Sequence, residues 1–306
     1  MIAYWLFRLC SLIWQRMPLK WGYAIASLIA DITFGVWGEK KQNMLANMRV
    51  VLGNDADERV VRHTARQSLR NYFKLMVDFL RFPRMKKEDI EKAIRFNGWE
   101  DLDHALERGK GVIFIGMHMG SWDVAGAAIA LRNYPLNVVV DTFKPERLDQ
   151  LVQGSRIAKG VKIIPAAHAA KKVLRVLRSN EILALLIDRP SPENGVPVQF
   201  FNCTAYVPAG AATLALRTGA SVLIGGLVRQ PDDSYLGLVD RHIDFEPTGN
   251  RERDIQDLTQ TIIGSLEKWV RQYPDQWYMF RRMWVKPDRF EPKRQEVQPK
   301  EALAQD

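Results

Sequence analysis

From residue 109 onward one pattern repeats: a continuous apolar run bounded by turn residues, then an amphipathic stretch, then another run. The runs are 112–117, 137–141, 182–187, 198–201 and 222–228, with helical stretches near 121–132, 145–158, 168–179 and 208–219 between them. A strand with one wet face alternates apolar and polar residues, whereas a strand covered on both faces has no need to. Runs without alternation therefore predict an α/β fold, with a largely parallel central sheet sandwiched by helices. A last helix over roughly 251–273 closes this unit, and the polar stretch 287–306 is expected to be a mobile tail.

The region before the sheet differs in kind. Residues 1–38 are apolar and rich in tryptophan, with Trp5, Trp14, Trp21 and Trp37, but Arg8, Arg16, Lys20 and Asp31 interrupt them. The first apolar stretch is too short to cross a bilayer core of about 30 Å, and the second carries Asp31 where a charge is expensive. Helices lying in the membrane interface, with tryptophans at the headgroup level, are the expected arrangement. A full span and a buried helical hairpin are the alternatives. No basic residue precedes the apolar run and no small-residue cleavage site follows it, which argues against a signal peptide.

Charge sharpens this division. The chain carries a net +9, and residues 1–100 hold 17 Lys and Arg against 10 Asp and Glu, so most of the excess lies in this first third. Within 56–82, Arg59, Arg62, Arg66, Arg70 and Lys74 recur at three- and four-residue spacing and form a ridge on one helical face. The ridge is either a solvated face or a surface for anionic lipid or an acidic carrier protein. Four sections result: apolar membrane-associating helices over 1–55, a basic helical section over 56–108, the α/β core over 109–286, continuous with the preceding section as one domain, and the tail. No nucleic-acid-binding module accompanies the charge, so nucleic acid is not expected as a partner.

Several chemistries are excluded by pattern. Gly111 and Gly116 have the spacing of a phosphate loop, but Met117 and His118 stand where Lys and Ser or Thr are needed. Neither a serine-nucleophile elbow, a zinc-binding H-E-x-x-H nor a dinucleotide-binding glycine motif is present. Cys10 and Cys203 form no metal-ligand or disulfide pattern, and a reducing compartment fits them best. No metal site is expected.

One segment carries chemistry. An apolar strand runs into His118, a Gly120 turn follows, and Ser121 can cap a helix with Asp123 in its first turn. Ligands of open α/β sheets bind at the carboxyl ends of strands. A histidine there can act as general base, with Asp123 holding its second ring nitrogen and the helix start favouring an anion. The same residues also describe a capped helix with a structural histidine.

The segment from His118 to Asp123 resembles the His-x4-Asp/Glu motif of the lysophospholipid and lipid A acyltransferases, specifically the lauroyl/myristoyl acyltransferase family of lipid A biosynthesis. The resemblance is an ordered series: Asn43, Asn47 and Arg49 as N-x3-N-x-R; Asp141 to Pro145 with Arg156; Asp188-Arg189 followed by Gly195 and Gln199-Phe-Phe201; Pro208 with Gly219; and Pro274, Trp277, Arg281 and Arg282. It covers about residues 1–285. It implies a glycerol-3-phosphate acyltransferase-like fold, His118 as base and Asp123 as its orienting partner. Arg156 would contact a phosphate or carbonyl, with Asp188 in the acceptor pocket. Asp141 stands where the mycobacterial phosphatidylinositol mannoside acyltransferases are acidic, and Asp188-Arg189 is closer to those enzymes than the Asp-Gln of the lipid A family. Arg189 joins the substrate-binding candidates. Glu193, in the adjoining loop, is either an acceptor-hydroxyl contact or a solvated acid.

The activity implied is transfer of a fatty acyl group from an acyl carrier protein or coenzyme A thioester to a hydroxyl of a glycolipid such as a lipid A precursor or a phosphatidylinositol mannoside. The thioester is a co-substrate, and no cofactor is required. Partners are then a membrane lipid acceptor, the acyl carrier and an anionic membrane surface, at the cytoplasmic face of a bacterial inner membrane as a peripheral or monotopic protein. A lysophosphatidic acid or other lysophospholipid acyltransferase is the alternative within the superfamily. A non-catalytic membrane-associated binding protein is the alternative of another class.

Overall fold

The computed structural model describes residues 2–240 and 242–284; the tail 287–306 lies outside the described residues. Helices α1 (Ile2–Arg16), α2 (Leu19–Val36), α3 (Gly38–Leu52) and α4 (Glu58–Arg81) come first, then α5 (Lys87–Ala93), β1 (Ile94–Arg95) and α6 (Trp99–Glu107). The alternating part follows as β2 (Val112–Gly116), α7 (Trp122–Leu131), β3 (Leu136–Val140), α8 (Glu146–Ile157), β4 (Lys162–Pro165), α9 (Ala169–Arg178) and β5 (Ile182–Leu186). The chain continues through β6 (Val196–Phe200), β7 (Cys203–Val207), α10 (Gly210–Thr218), β8 (Ser221–Arg229), β9 (Tyr235–Asp240) and α11 (Arg251–Gln272).

Seven strands form the central sheet in the order β1-β9-β8-β2-β5-β3-β4. Strands β2, β3, β4, β5 and β8 are parallel, while β9 turns back along β8 and the short β1 runs parallel to β9 at the edge. Both faces are covered. Ile113, Ile115, Leu183, Val222 and Ile224 pack toward residues of α9, α10 and α11, while Val112, Phe114, Ile182 and Leu223 pack with Leu102 of α6 and Ile129 of α7. Successive residues of one strand thus enter opposite cores, so the apolar runs lack alternation.

Two sequence expectations need correction. The run 198–201 is not a strand of the central sheet: β6 pairs antiparallel with β7 in a separate hairpin. Phe201 and Asn202 both take positive φ, 55° and 56°, as a two-residue hairpin turn requires, so the chain reverses at once instead of crossing over. The basic ridge, in turn, is only partly free. Arg66 and Arg70 hold Asp31 of α2, with Arg66 Nε 2.6 Å from Oδ1, and Lys74 holds Asp233 at 2.6 Å. Arg59 and Arg62 remain exposed.

Asp31 thereby fastens α2 along α4. Hydrogen bonds from Arg66 and then Arg70 outweigh partial burial and hold its carboxyl well below the usual range. The opposite faces of α1 and α2 stay bare: twelve of the sixteen large hydrophobic residues exposed among the described residues lie on them, Trp21 at 69% and Val36 at 80%. By length and composition, α2 is the one helix among the described residues able to cross a membrane.

Candidate active site

Strand register builds the site. Gly116, the last residue of β2, lies opposite Leu186, the last of β5, so the residues two beyond each strand end, His118 and Asp188, fall side by side. The His118 turn is pressed against β8: a Cβ on Gly120, whose φ is +57°, would lie 1.7 Å from the Leu227 carbonyl oxygen, so only glycine fits.

His118 Nδ1 lies 2.7 Å from Asp188 Oδ1, and the His118 backbone N–H donates to Oδ2 at 3.0 Å. Trp277 Nε1–H donates to the same Oδ2 at 2.9 Å. The Asp188 side chain is 2% exposed and that of His118 14%. Burial by itself pushes the carboxyl upward, but the His118 ring, the His118 N–H groups and the Trp277 N–H together hold it below the usual range. An ionised Asp188 accepting from Nδ1–H leaves the Nε2 lone pair of the neutral ring free to take a proton.

Trp277 is the functional residue whose role the sequence reading missed. Its segment clamps the His118 turn from behind: the Tyr278 N–H donates to the His118 carbonyl at 2.9 Å, and Met119 bridges to Trp277. Ser68 of α4 holds the Trp277 carbonyl at 2.7 Å. The family-like spacing around Pro274 and Trp277 marked the segment, but nothing local assigns it a partner 89 residues earlier in the chain.

Asp123 is not the carboxylate on the imidazole. Arg156, in the last turn of α8, takes it with Nε 2.7 Å from Oδ1, and Gln153 Oε1 accepts from Arg156 Nη1 at 3.0 Å. With side chains 6% and 13% exposed, this is a largely desolvated pair facing the same cavity as His118. The expected His118–Asp123 partnership is therefore replaced by two pairs, because the β2–β5 register brings Asp188 to the ring while α8 presents a guanidinium to Asp123. Ser121 stands at the N-cap position of α7, but its hydroxyl makes no cap hydrogen bond.

His118 opens on a cavity of about 440 Å3 that runs between the sheet and α7. Gly116, Ala184, Gly225 and Gly226 line it from the strands, Ala125, Gly126 and Ile129 from the helix, and Leu136 and Val161 also border it. Small residues make this room. A Cβ on Gly225 would lie 2.0 Å from the ring of Phe114. Asp141, Phe143, Leu186 and Arg189 are exposed and line the same cavity. Glu193 is exposed and does not line it. Among the described residues no cluster of His, Cys, Asp and Glu is arranged to hold a metal.

An imidazole held by a buried carboxylate at the mouth of an apolar slot that two guanidinium groups also line suits attack by a hydroxyl on the carbonyl of a long-chain acyl compound. Comparison with known proteins agrees: the family model of bacterial lipid A biosynthesis acyltransferases matches residues 1–286. The chain belongs to this family. It is thus an acyltransferase of glycolipid biosynthesis, with the central sheet and helices that the resemblance implied. Phosphatidylinositol mannoside acyltransferase of Mycobacterium tuberculosis is 26% identical over 234 residues, 71% of this chain and 69% of that one. The protein of the same description from Mycolicibacterium smegmatis is 26% identical over 224 residues, 72% of each chain. Among lipid A biosynthesis acyltransferases, this one thus also resembles enzymes described by a mannoside acceptor.

Proposed function

We propose that this acyltransferase docks on a membrane surface and transfers a fatty acyl group from an acyl carrier protein or coenzyme A thioester to a hydroxyl of a glycolipid. The acceptor is a lipid A precursor or a phosphatidylinositol mannoside. His118 Nε2 takes the hydroxyl proton as the oxygen attacks the thioester carbonyl, and the ester forms as the carbon–sulfur bond breaks. The imidazolium then returns its proton to the departing thiolate. Asp188 keeps the ring in the productive tautomer and steadies its positive charge. Arg156 and Arg189 stabilise the oxyanion or an acceptor phosphate, and Asp141 contacts acceptor hydroxyls at the mouth.

The observation that carries this reading is the His118–Asp188 pair opening directly on the apolar cavity. That slot suits an acyl chain, whose burial is favourable by about 0.8 kcal/mol per methylene. The bare faces of α1 and α2 support docking beside a two-chain acceptor that does not leave the bilayer readily. Free Cys10 and Cys203 agree with a reducing cytoplasmic side.

The test is a product assay. Purified protein is offered acyl carrier protein and coenzyme A thioesters with a lipid A precursor, a phosphatidylinositol mannoside and lysophosphatidic acid, and products are read by mass spectrometry. An acylated glycolipid is expected. Acylation of lysophosphatidic acid alone overturns the glycolipid acceptor.

A further inference from the structure

A second cavity, of about 1130 Å3, lies between the apolar anchor and the sheet and shares no lining residue with the His118 cavity. The ends of α1 and α4, the first half of α2, α5 and the turn from β8 to β9 enclose it. Tyr23, Asp78 and Tyr235 form a polar floor, held from beneath by Arg229, which donates to both Asp78 and Tyr235.

Its charges do not balance. Asp78 meets Arg229, Asp233 meets Lys74 and Asp232 lies 3.7 Å from Arg95, which leaves Asp89, bonded to the Lys86 N–H, as the one lining carboxylate without a cation among the described residues. Lys20, Arg84 and Lys92 line the cavity and face no carboxylate among the described residues. Arg81 donates from Nη1 to the Trp14 and Met17 carbonyls and keeps its charge. A cleft with unmatched cations and main-chain-bound arginine attracts an anion. The wall it shares with the anchor is apolar at Leu19, and the outer face of α2 continues with Trp21 and Leu28 exposed.

We infer that this cavity binds the phosphodiester headgroup of an anionic membrane lipid, with the lipid chains lying along the bare faces of α1 and α2. The bound lipid is distinct from the acyl acceptor, because the cavity holds neither His118 nor any residue beside it. It seats the enzyme at a fixed depth, with Lys20, Arg84 and Lys92 around the phosphate. This rests on the membrane-docking reading above.

The experiment uses the full chain in a non-ionic detergent and titrates dihexanoyl phosphatidylglycerol below its micellar concentration, followed by calorimetry. Saturable one-site binding is expected, weakened at least tenfold in K20Q/R84Q/K92Q. It should be unchanged in K171Q/K172Q/R175Q, which neutralises three exposed cations of α9. Inorganic phosphate and dihexanoyl phosphatidylcholine are the comparison ligands, and both should bind more weakly. Equal binding by the two triple variants, or phosphate competing at equal affinity, overturns the inference. Turnover of a soluble short-chain acceptor by K20Q/R84Q/K92Q should match wild type and so reports folding. Vesicle flotation separates the two claims: failure of wild type to float with phosphatidylglycerol vesicles sinks membrane docking, while binding of the soluble lipid tests the cavity by itself.

Discussion

Two carboxylates hold the two working regions of the molecule, and they do so under different conditions. Asp188 is 2% exposed, takes three N–H donors and fixes one imidazole at the mouth of an inward-facing apolar slot. Asp31 is 19% exposed, takes two guanidinium groups and fastens a helix whose apolar face points outward. A buried carboxylate cut off from water cannot lose a donor without consequence for the ring it steadies, whereas a half-wet one can recruit water. Chemistry is therefore expected to depend steeply on Asp188, and the hold of α4 on α2 only gently on Asp31.

Exchanging Asp188 for Asn tests the steep side. It keeps the shape but offers an amide N–H where an acceptor is needed, so kcat should fall about a thousandfold with KM little changed. A loss under tenfold would remove the distinction between the two regions. The neighbouring pair, besides the part proposed for Arg156 in the reaction, also carries stability by the same reasoning. Asp123→Ala leaves the Arg156 guanidinium largely buried and unmatched, and equilibrium denaturation should show a loss of about 3–5 kcal/mol. Trp277→Phe removes one hydrogen bond to a charged acceptor, worth about 1.5–3 kcal/mol. Trp277 acts through Asp188, so the pH profile is the telling readout. With one donor gone, the Asp188 carboxyl rises and the acidic limb of kcat moves to higher pH, which a merely structural role would not produce.

On the gentle side, Asp31→Asn should cost no more than about 1 kcal/mol per lost pair. The sign with pH follows from the depressed carboxyl. Stability from Asp31 is complete above the unfolded aspartate value of about 3.9 and is lost as pH falls through the lower folded value. Tryptophan fluorescence of the anchor should report α2 loosening in that acid window for wild type, and a flatter response for D31N. Glu193→Gln should change neither turnover nor stability, since Glu193 is exposed and off the cavity.

The same contrast explains what could be read from the chain. The long strands of the sheet were legible because each enters two apolar cores and so shows as an unbroken run. Strand β4, four residues at the sheet edge, is too short to stand out, and β9, half-buried along most of its length, has its apolar run broken by Gly237. His118 was legible from its place at the end of a strand. Its partner was not, because local spacing points to Asp123 and only the pairing of Gly116 with Leu186 brings Asp188 across 70 residues. Resemblance had marked Asp188, Arg189 and Arg156 as site residues; it did not sort them into pairs. In α4, helical spacing revealed the Arg66–Arg70 ridge, and its meeting with Asp31 of α2 is a tertiary fact.

The central claim is that His118 is the general base of acyl transfer. It is tested most directly by kcat of purified H118A against wild type, under saturating acyl thioester and glycolipid acceptor. The account predicts a fall of about a thousandfold, within the 10²–10⁴ typical of a positioned acid–base group, with thioester binding retained. An H118A enzyme turning over within tenfold of wild type would contradict it.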